Sequence, residues 1–185
     1  MLLILLLMLE TLITSKTRLK LLLKFFLNSN SSSYLRELEG EFHESTNAIR
    51  LELNRFEEAG LLQSQTRGNK KFYHANTDHP LFTDINNILL KYIGFDMIIE
   101  NVIKKLGKMN CVYVVGAFAR GVDNHVIELV FVCDEIDREY LARLIGKVEK
   151  LITRKLSYFI MNKVEFEDYV ESISSNEALL LWSEQ

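Results

Sequence analysis

Asn47, Arg50 and Asn54 recur at intervals of three and four residues, with Leu51 beside them. That spacing places them on one face of a helix, stacked turn over turn. Arginine can bond a guanine edge through two donors, and asparagine an adenine edge through one donor and one acceptor. A face built this way is equipped to read base pairs. Further on, Arg67-Gly68-Asn69-Lys70 and then Lys71 gather cations around a tight turn, the composition that holds phosphates. Three acids are nearby, Glu52 within the first set and Glu57 and Glu58 between the two. They oppose phosphate binding unless they point away from it.

The elements that must position these residues are legible nearby. Ser45 is suited to cap a helix, and Ile49, Leu53, Phe56 and Ala59 give that helix one apolar stripe. Gly60 follows as a stop signal. Strands are expected over residues 61–66 and 71–76, with Gly68 and Asn69 suited to positive φ in the turn between them. Upstream, Leu19, Leu22, Leu23 and Phe26 predict a helix over 17–27. NSNSSS (28–33) reads as a polar loop, Ser33 as the cap of a short helix over 34–39, and Gly40 as its end, with a turn over 41–44.

Helix, short helix, turn, longer helix and a hairpin with a basic tip outline a winged helix-turn-helix. The run LNRFEEAGLL (53–62) is where the chain most resembles the ArsR/MarR-like winged-helix transcriptional regulators. The resemblance implies a homodimer on double-stranded DNA. The helix would enter the major groove through Ser45, Thr46, Asn47, Arg50 and Asn54, while Arg67, Asn69, Lys70 and Lys71 contact the backbone. The cysteine-rich metal motif of the metal-sensing ArsR members is absent.

Past His79-Pro80, the residues Leu81, Ile85, Ile88, Leu89 and Tyr92 predict a helix over 81–93, broken by Gly94 and resumed over 96–106. Apolar strands are expected over 111–115, 127–132 and 156–161. A helix capped by Asp137 carries Leu141, Leu144, Ile145, Val148, Leu151 and Ile152 on one face. A short helix over 165–172 and an apolar patch over 178–182 follow. GAFARG (116–121) and the strand after it resemble the nucleotidyltransferase fold, whose minimal members carry G-S-x-A-R-G and then S-D-x-D-L. Gly116, Ala119, Arg120 and Gly121 match. Ala117 replaces the phosphate-contacting Ser, Val126 the first metal carboxylate and Glu128 the second, and strand 156–161 has no carboxylate for the third. One Glu does not hold two magnesium ions in transfer geometry, so no catalytic residue, metal site or cofactor is expected. What the resemblance leaves is a site for a nucleotide or other phosphorylated effector at Gly116, Ala117, Phe118, Arg120, Gly121 and Glu128. The alternative is a structural remnant in which Arg120 pairs with Asp123 or Glu128. His43, His74 and His79 are too scattered for a metal, and His125 reads as a loop residue.

Composition limits the function classes. From Thr14 to Ala75 there are ten Lys/Arg against seven acids, a net +3, while Asn76 to Gln185 carries a net −5. The basic half is thus the one suited to nucleic acid. Met1 to Leu9 is apolar, too short to span a bilayer, and lacks the basic start and small-residue cleavage site of a secretion signal. It reads as a dimer helix or, alternatively, as a start codon set too early. Cys111 and Cys133 lie far apart and read as buried thiols of a reducing cytoplasm. The expected class is α+β. It comprises an apolar helix (1–15), a winged helix-turn-helix (16–78), linker helices (79–108) and a small α/β nucleotidyltransferase-like domain (109–185). The expected function is a cytoplasmic, sequence-specific DNA-binding regulator without catalysis. Its alternatives are an active nucleotidyltransferase or toxin-antitoxin component, and a protein-interaction module without DNA.

Overall fold

The computed structural model describes residues 11–106, 109–152, 154–173 and 177–184, so most of the expected N-terminal apolar helix lies outside the described residues. The chain is mixed α+β with two sheets. Helix α1 (Lys16–Leu22) starts at Ser15, whose hydroxyl accepts from the Arg18 N–H at 3.2 Å. It widens into a π-helical segment, Leu23–Leu27. The sequence pattern gives this helix one apolar stripe, yet every residue from Leu21 to Asn28 is buried. Structure packs against it on more than one side. Phe82 of α4 (Phe82–Ile93) sets its ring 5.6 Å from that of Phe26, and the Asn86 side chain donates to the Phe26 carbonyl at 2.6 Å. The Asn28 side chain donates to the Ala119 carbonyl at 2.7 Å.

The first sheet joins β1 (Ser32–Tyr34), β2 (Leu62–Arg67) and β3 (Lys70–Ala75) in the antiparallel order β1-β3-β2. The expected loop over 28–33 is therefore corrected. Ser33 pairs with Tyr73 and is buried, and Tyr34 lies opposite Phe72 with ring centroids 5.3 Å apart. Ser33 does not cap α2 (Leu35–Phe42), whose N-cap is Tyr34. Nor does Gly40 end that helix. It sits exposed inside it, and the helix runs on until His43 turns to φ 53° and donates its N–H to the Glu39 carbonyl. Running on seats Phe42 in the core. Across the short turn, α3 (Thr46–Glu58) begins at the expected Ser45 cap and buries Ile49, Leu53 and Phe56, while Ala59 is exposed as its C-cap. In the hairpin turn Gly68 has φ 61° but Asn69 does not have positive φ. Positive φ at the first central residue alone is the type II′ pattern.

After α4, Gly94 (φ 96°) redirects the chain into α5 (Phe95–Ile98), a π-helical segment Ile99–Ile103 and α6 (Lys104–Leu106). Leu89, Tyr92 and Ile93 are buried, but Leu81 and Ile88 of the expected stripe are exposed. The second sheet has the order β6-β5-β4-β7, built from β4 (Cys111–Val115), β5 (Val126–Val132), β6 (Lys155–Met161) and β7 (Ala178–Ser183). β4 leads into the short helix α7 (Gly116–Ala119), β5 and β6 run parallel through the crossover helix α8 (Arg138–Val148), and β7 pairs antiparallel with β4. The apolar patch near the C-terminus is therefore an edge strand. α8 takes its cap from Asp137 and buries Leu141, Leu144, Ile145 and Val148, but it ends before Leu151, which is exposed. A last helix, α9 (Lys163–Ser172), opens with a reciprocal cap between Asn162 and Glu165 and stacks Phe166 on Tyr113 at 4.3 Å.

One apolar cluster runs from Leu21 through Phe118 to Leu156 and takes in residues beside both sheets. Leu23→Ala should therefore cost about 2–5 kcal/mol and lower the whole molecule's stability. In urea, Trp182 fluorescence, which reports β7, and far-UV circular dichroism should shift together. Two separated transitions, with only one moved by the substitution, would contradict the shared core.

Candidate functional site

α3 presents two unlike faces because its charged residues sort themselves by partner. Glu52 turns inward and is almost fully buried, accepting from Arg18 at 2.8 Å and from Arg55 at 2.9 Å. Burial pushes its carboxyl up, but the bonds and charges of Arg18 and Arg55 outweigh that and hold it below the ordinary value. The acid that seemed to oppose phosphate binding instead fastens α3 to α1. Glu57 accepts from Lys71 at 2.7 Å and from the Ser64 hydroxyl at 2.5 Å, so it too is turned to the protein. Lys20 does likewise at the end of α2. It donates to the Phe42 carbonyl at 2.8 Å and pairs with Glu44 at 2.9 Å, a cation at a helix C-terminus. Its hydrogen bond draws the Glu44 carboxyl below its usual range.

The opposite face of α3 carries Ser45, Asn47, Arg50, Leu51 and Asn54 exposed, with Thr46 half-buried. The Arg50 guanidinium lies 3.4 Å from the Asn47 side-chain oxygen, so two of the candidate base-reading groups are neighbours. A groove of about 620 Å³ opens between this face and the hairpin. Arg36, Arg50, Asn54, Asn69, Lys70 and Lys71 all line it, and no Asp or Glu is among its described lining residues. Arg36, near the start of α2, is a cation that the sequence alone did not single out. Lys70 rests its ammonium 4.1 Å from the Tyr34 ring centroid. Arg67 lies 5.5 Å over Phe72 and donates to Gln65. The nine interface residues expected from sequence thus gather on α3 and the adjoining hairpin, with Lys71 already engaged by Glu57.

The glycine turn is assembled differently from what the sequence suggests. Gly116 stands at φ 67°, and a Cβ there would fall on the Glu128 carboxylate, which occupies the space above the turn. The backbone N–H groups of Arg120, Gly121 and Val122 donate to the carbonyls of Ala117, Phe118 and Ala117. Gly121 (φ 74°) abuts the backbone of Lys24, where any side chain would collide. Phe118 is buried, 6.0 Å from the Phe95 ring and 5.1 Å from the Arg154 guanidinium. Arg120 is exposed and pairs with Glu177 at 3.4 Å, not with Asp123 or Glu128. Asp123 is held instead by Arg154 at 2.7 Å. The turn is short and its six candidate residues lie together, but three of its N–H donors are spent internally and a carboxylate covers it.

Glu128 and Glu177 also act on Tyr169. Burial raises the Tyr169 hydroxyl above its usual value, and these two carboxylates add to the rise. Burial likewise raises the thiols of Cys111 and Cys133, both free. Among the described residues no group of three or more His, Cys, Asp and Glu could hold a metal ion. Among them, too, no helix is long and apolar enough to cross a membrane. No protein-family model matches the chain, and no curated protein matches it either.

Gly116→Ala should destabilise the fold by about 1–3 kcal/mol through its positive φ, with a further loss from collision with Glu128. Adding Glu128→Ala should restore only the collision part, as read by urea unfolding. A Gly116→Ala protein as stable as the parent would contradict the left-handed conformation of Gly116.

Proposed function

We propose that the protein is a sequence-specific DNA-binding transcriptional regulator of winged helix-turn-helix type. One observation carries this reading. Arg36, Arg50, Arg67 and Lys70, around the α3–hairpin groove, make no ion pair with any described residue, whereas Arg18, Lys20, Lys24, Arg55 and Lys71 each have a carboxylate partner. Four cations without an ion pair, gathered where a helix and a hairpin converge, favour a polyanion seated there. A duplex supplies one phosphate charge per about 1.7 Å of axis. Exposed Arg50 and Asn54 offer the bidentate groups that tell guanine and adenine apart.

The reading assigns α3 to the major groove and the hairpin tip to the flanking backbone. A homodimer would place two such helices on half-sites about 34 Å apart, or a multiple of it. The segment 109–185 is proposed as a non-catalytic, nucleotidyltransferase-like module for dimerisation or effector sensing. Val126 puts a hydrocarbon where nucleotidyl transfer needs a carboxylate, and Glu128 faces the turn as a negative charge. An effector with a phosphate would have to displace Glu177 from Arg120 and the Glu128 carboxylate from above Gly116.

The test is selection from random duplex DNA, followed by variants on the selected site. Arg50→Ala and Asn54→Ala should each cost about 1–3 kcal/mol at particular base pairs. Lys70→Ala should weaken all sequences alike and lower the salt slope by about 1. No enrichment over rounds of selection, or a Lys70 variant with altered sequence preference beside an unaffected Arg50→Ala, would sink the assignment.

A further inference from the structure

Among the described residues, Glu57 is the single carboxylate that joins the C-terminal turn of α3 to both strands of the hairpin. Ser64, on β2, donates its hydroxyl to one carboxylate oxygen at 2.5 Å, and Lys71, on β3, donates to the other at 2.7 Å. The pairing is only part-exposed, with the Glu57 side chain 32% and the Lys71 side chain 44% accessible. The Lys71 ammonium also lies 5.1 Å from the Tyr73 ring centroid. The bond from Lys71, and after it the one from Ser64, draws the Glu57 carboxyl below its usual range, and Lys71 rises in turn. Both groups therefore stay charged and paired across neutral pH. Lys71 lines the groove beside Arg50 and Lys70, yet its charge is already answered.

We propose that Glu57 is a positioning residue that sets how strongly the interface grips any duplex: it holds the Lys71 charge away from phosphates and pins the hairpin to α3. The proposal rests on the DNA-binding reading and deepens it. Affinity for arbitrary duplex grows with the number of phosphates a protein neutralises, each adding about 0.9 to the salt slope. Base contacts add nothing to that slope. Removing one cation from the phosphate count lowers binding to every sequence alike while leaving Arg50 and Asn54 in place. Fixing the hairpin to both of its strands also sets where the free Lys70 and Arg67 can reach, so that backbone contact and base contact stay in register. The strength and salt dependence of duplex binding then depend on an acid that, read in isolation, looks hostile to DNA.

The experiment is fluorescence anisotropy of the full chain on a mixed-sequence duplex across a potassium chloride series. Glu57→Gln keeps an acceptor for Ser64 but removes the charge. It should steepen the slope of log affinity against log salt by about 0.9, which is roughly eightfold tighter non-specific binding at 0.1 M salt. Adding Lys71→Ala to it should return the slope to that of the parent. In the otherwise unchanged chain, Lys71→Ala should leave the slope where it was, a result that needs no folded Glu57 variant. A parent that binds with a clear salt slope, together with a Lys71→Ala variant that loses about 0.9 of it, overturns this role alone. An unmoved slope in a folded Glu57→Gln variant does the same. A parent with no salt-dependent binding overturns the DNA-binding reading and this role with it.

Discussion

Burial of residues 21–28 on all sides is the constraint from which the rest of the structure follows. Leu21, Leu23, Phe25 and Phe26 are fully buried, and each such side chain contributes about 1.5–3 kcal/mol by leaving water. A helix apolar all round needs neighbours on every side. α3 meets it through the Arg18–Glu52 pair, α4 through Phe82 and Asn86, and the glycine turn through Asn28 and Gly121. The polar groups inside this packing are satisfied individually. Lys24 is buried and bonded to both oxygens of Glu41, at 2.8 and 3.0 Å. Breaking such a pair by removing one partner leaves an uncompensated buried charge, which is far costlier than the pair is worth. The glycine turn therefore works in this molecule as a joint, with Gly121 chosen by the close approach of Lys24.

Electrostatic sorting is the second organising feature. On the N-terminal half, Glu41, Glu44, Glu52 and Glu57 are each paired with a cation, while Arg36, Arg50, Arg67 and Lys70, without an ion pair among the described residues, lie around the groove. Glu52 and Glu57 are on the same helix as Arg50 and Asn54 but are directed elsewhere by Arg18, Arg55, Lys71 and Ser64. Net charge by itself would have understated this, because a modest excess of positive charge is concentrated by pairing into one place.

What the sequence made legible, and what it hid, divide along the same line between local and long-range causes. α3 could be read because its cap, its apolar spacing and its glycine stop are all local signals. The hairpin followed from Gly68 and its flanking residues for the same reason. β1 was invisible because NSNSSSY has little strand preference; pairing with β3 and the Tyr34–Phe72 ring contact create it. Gly40 misled because a glycine is a stop only when the next residues gain nothing by continuing, and Phe42 gains the core. Leu81, Ile88 and Leu151 match a helical stripe yet are exposed, since spacing alone does not say what covers a face. At the candidate interface the outward residues of α3 were legible, but Arg36 and the capture of Lys71 by Glu57 depend on how α2 and β3 are placed, which no local pattern encodes. In the glycine turn the motif glycines were visible, while the Glu128 carboxylate above Gly116 and the Glu177 partner of Arg120 come from strand register and a distant segment.

The most direct test of the proposed DNA interface is amide hydrogen exchange, with and without a pool of random-sequence duplex DNA. The account predicts slowed exchange confined to Ser45–Asn54, Tyr34–Arg36 and the hairpin tip from Arg67 to Lys71. The strands β4 to β7 and the turn at Gly116 should be unchanged. Protection centred on Gly116–Glu128, or no protection anywhere at low salt, would contradict it.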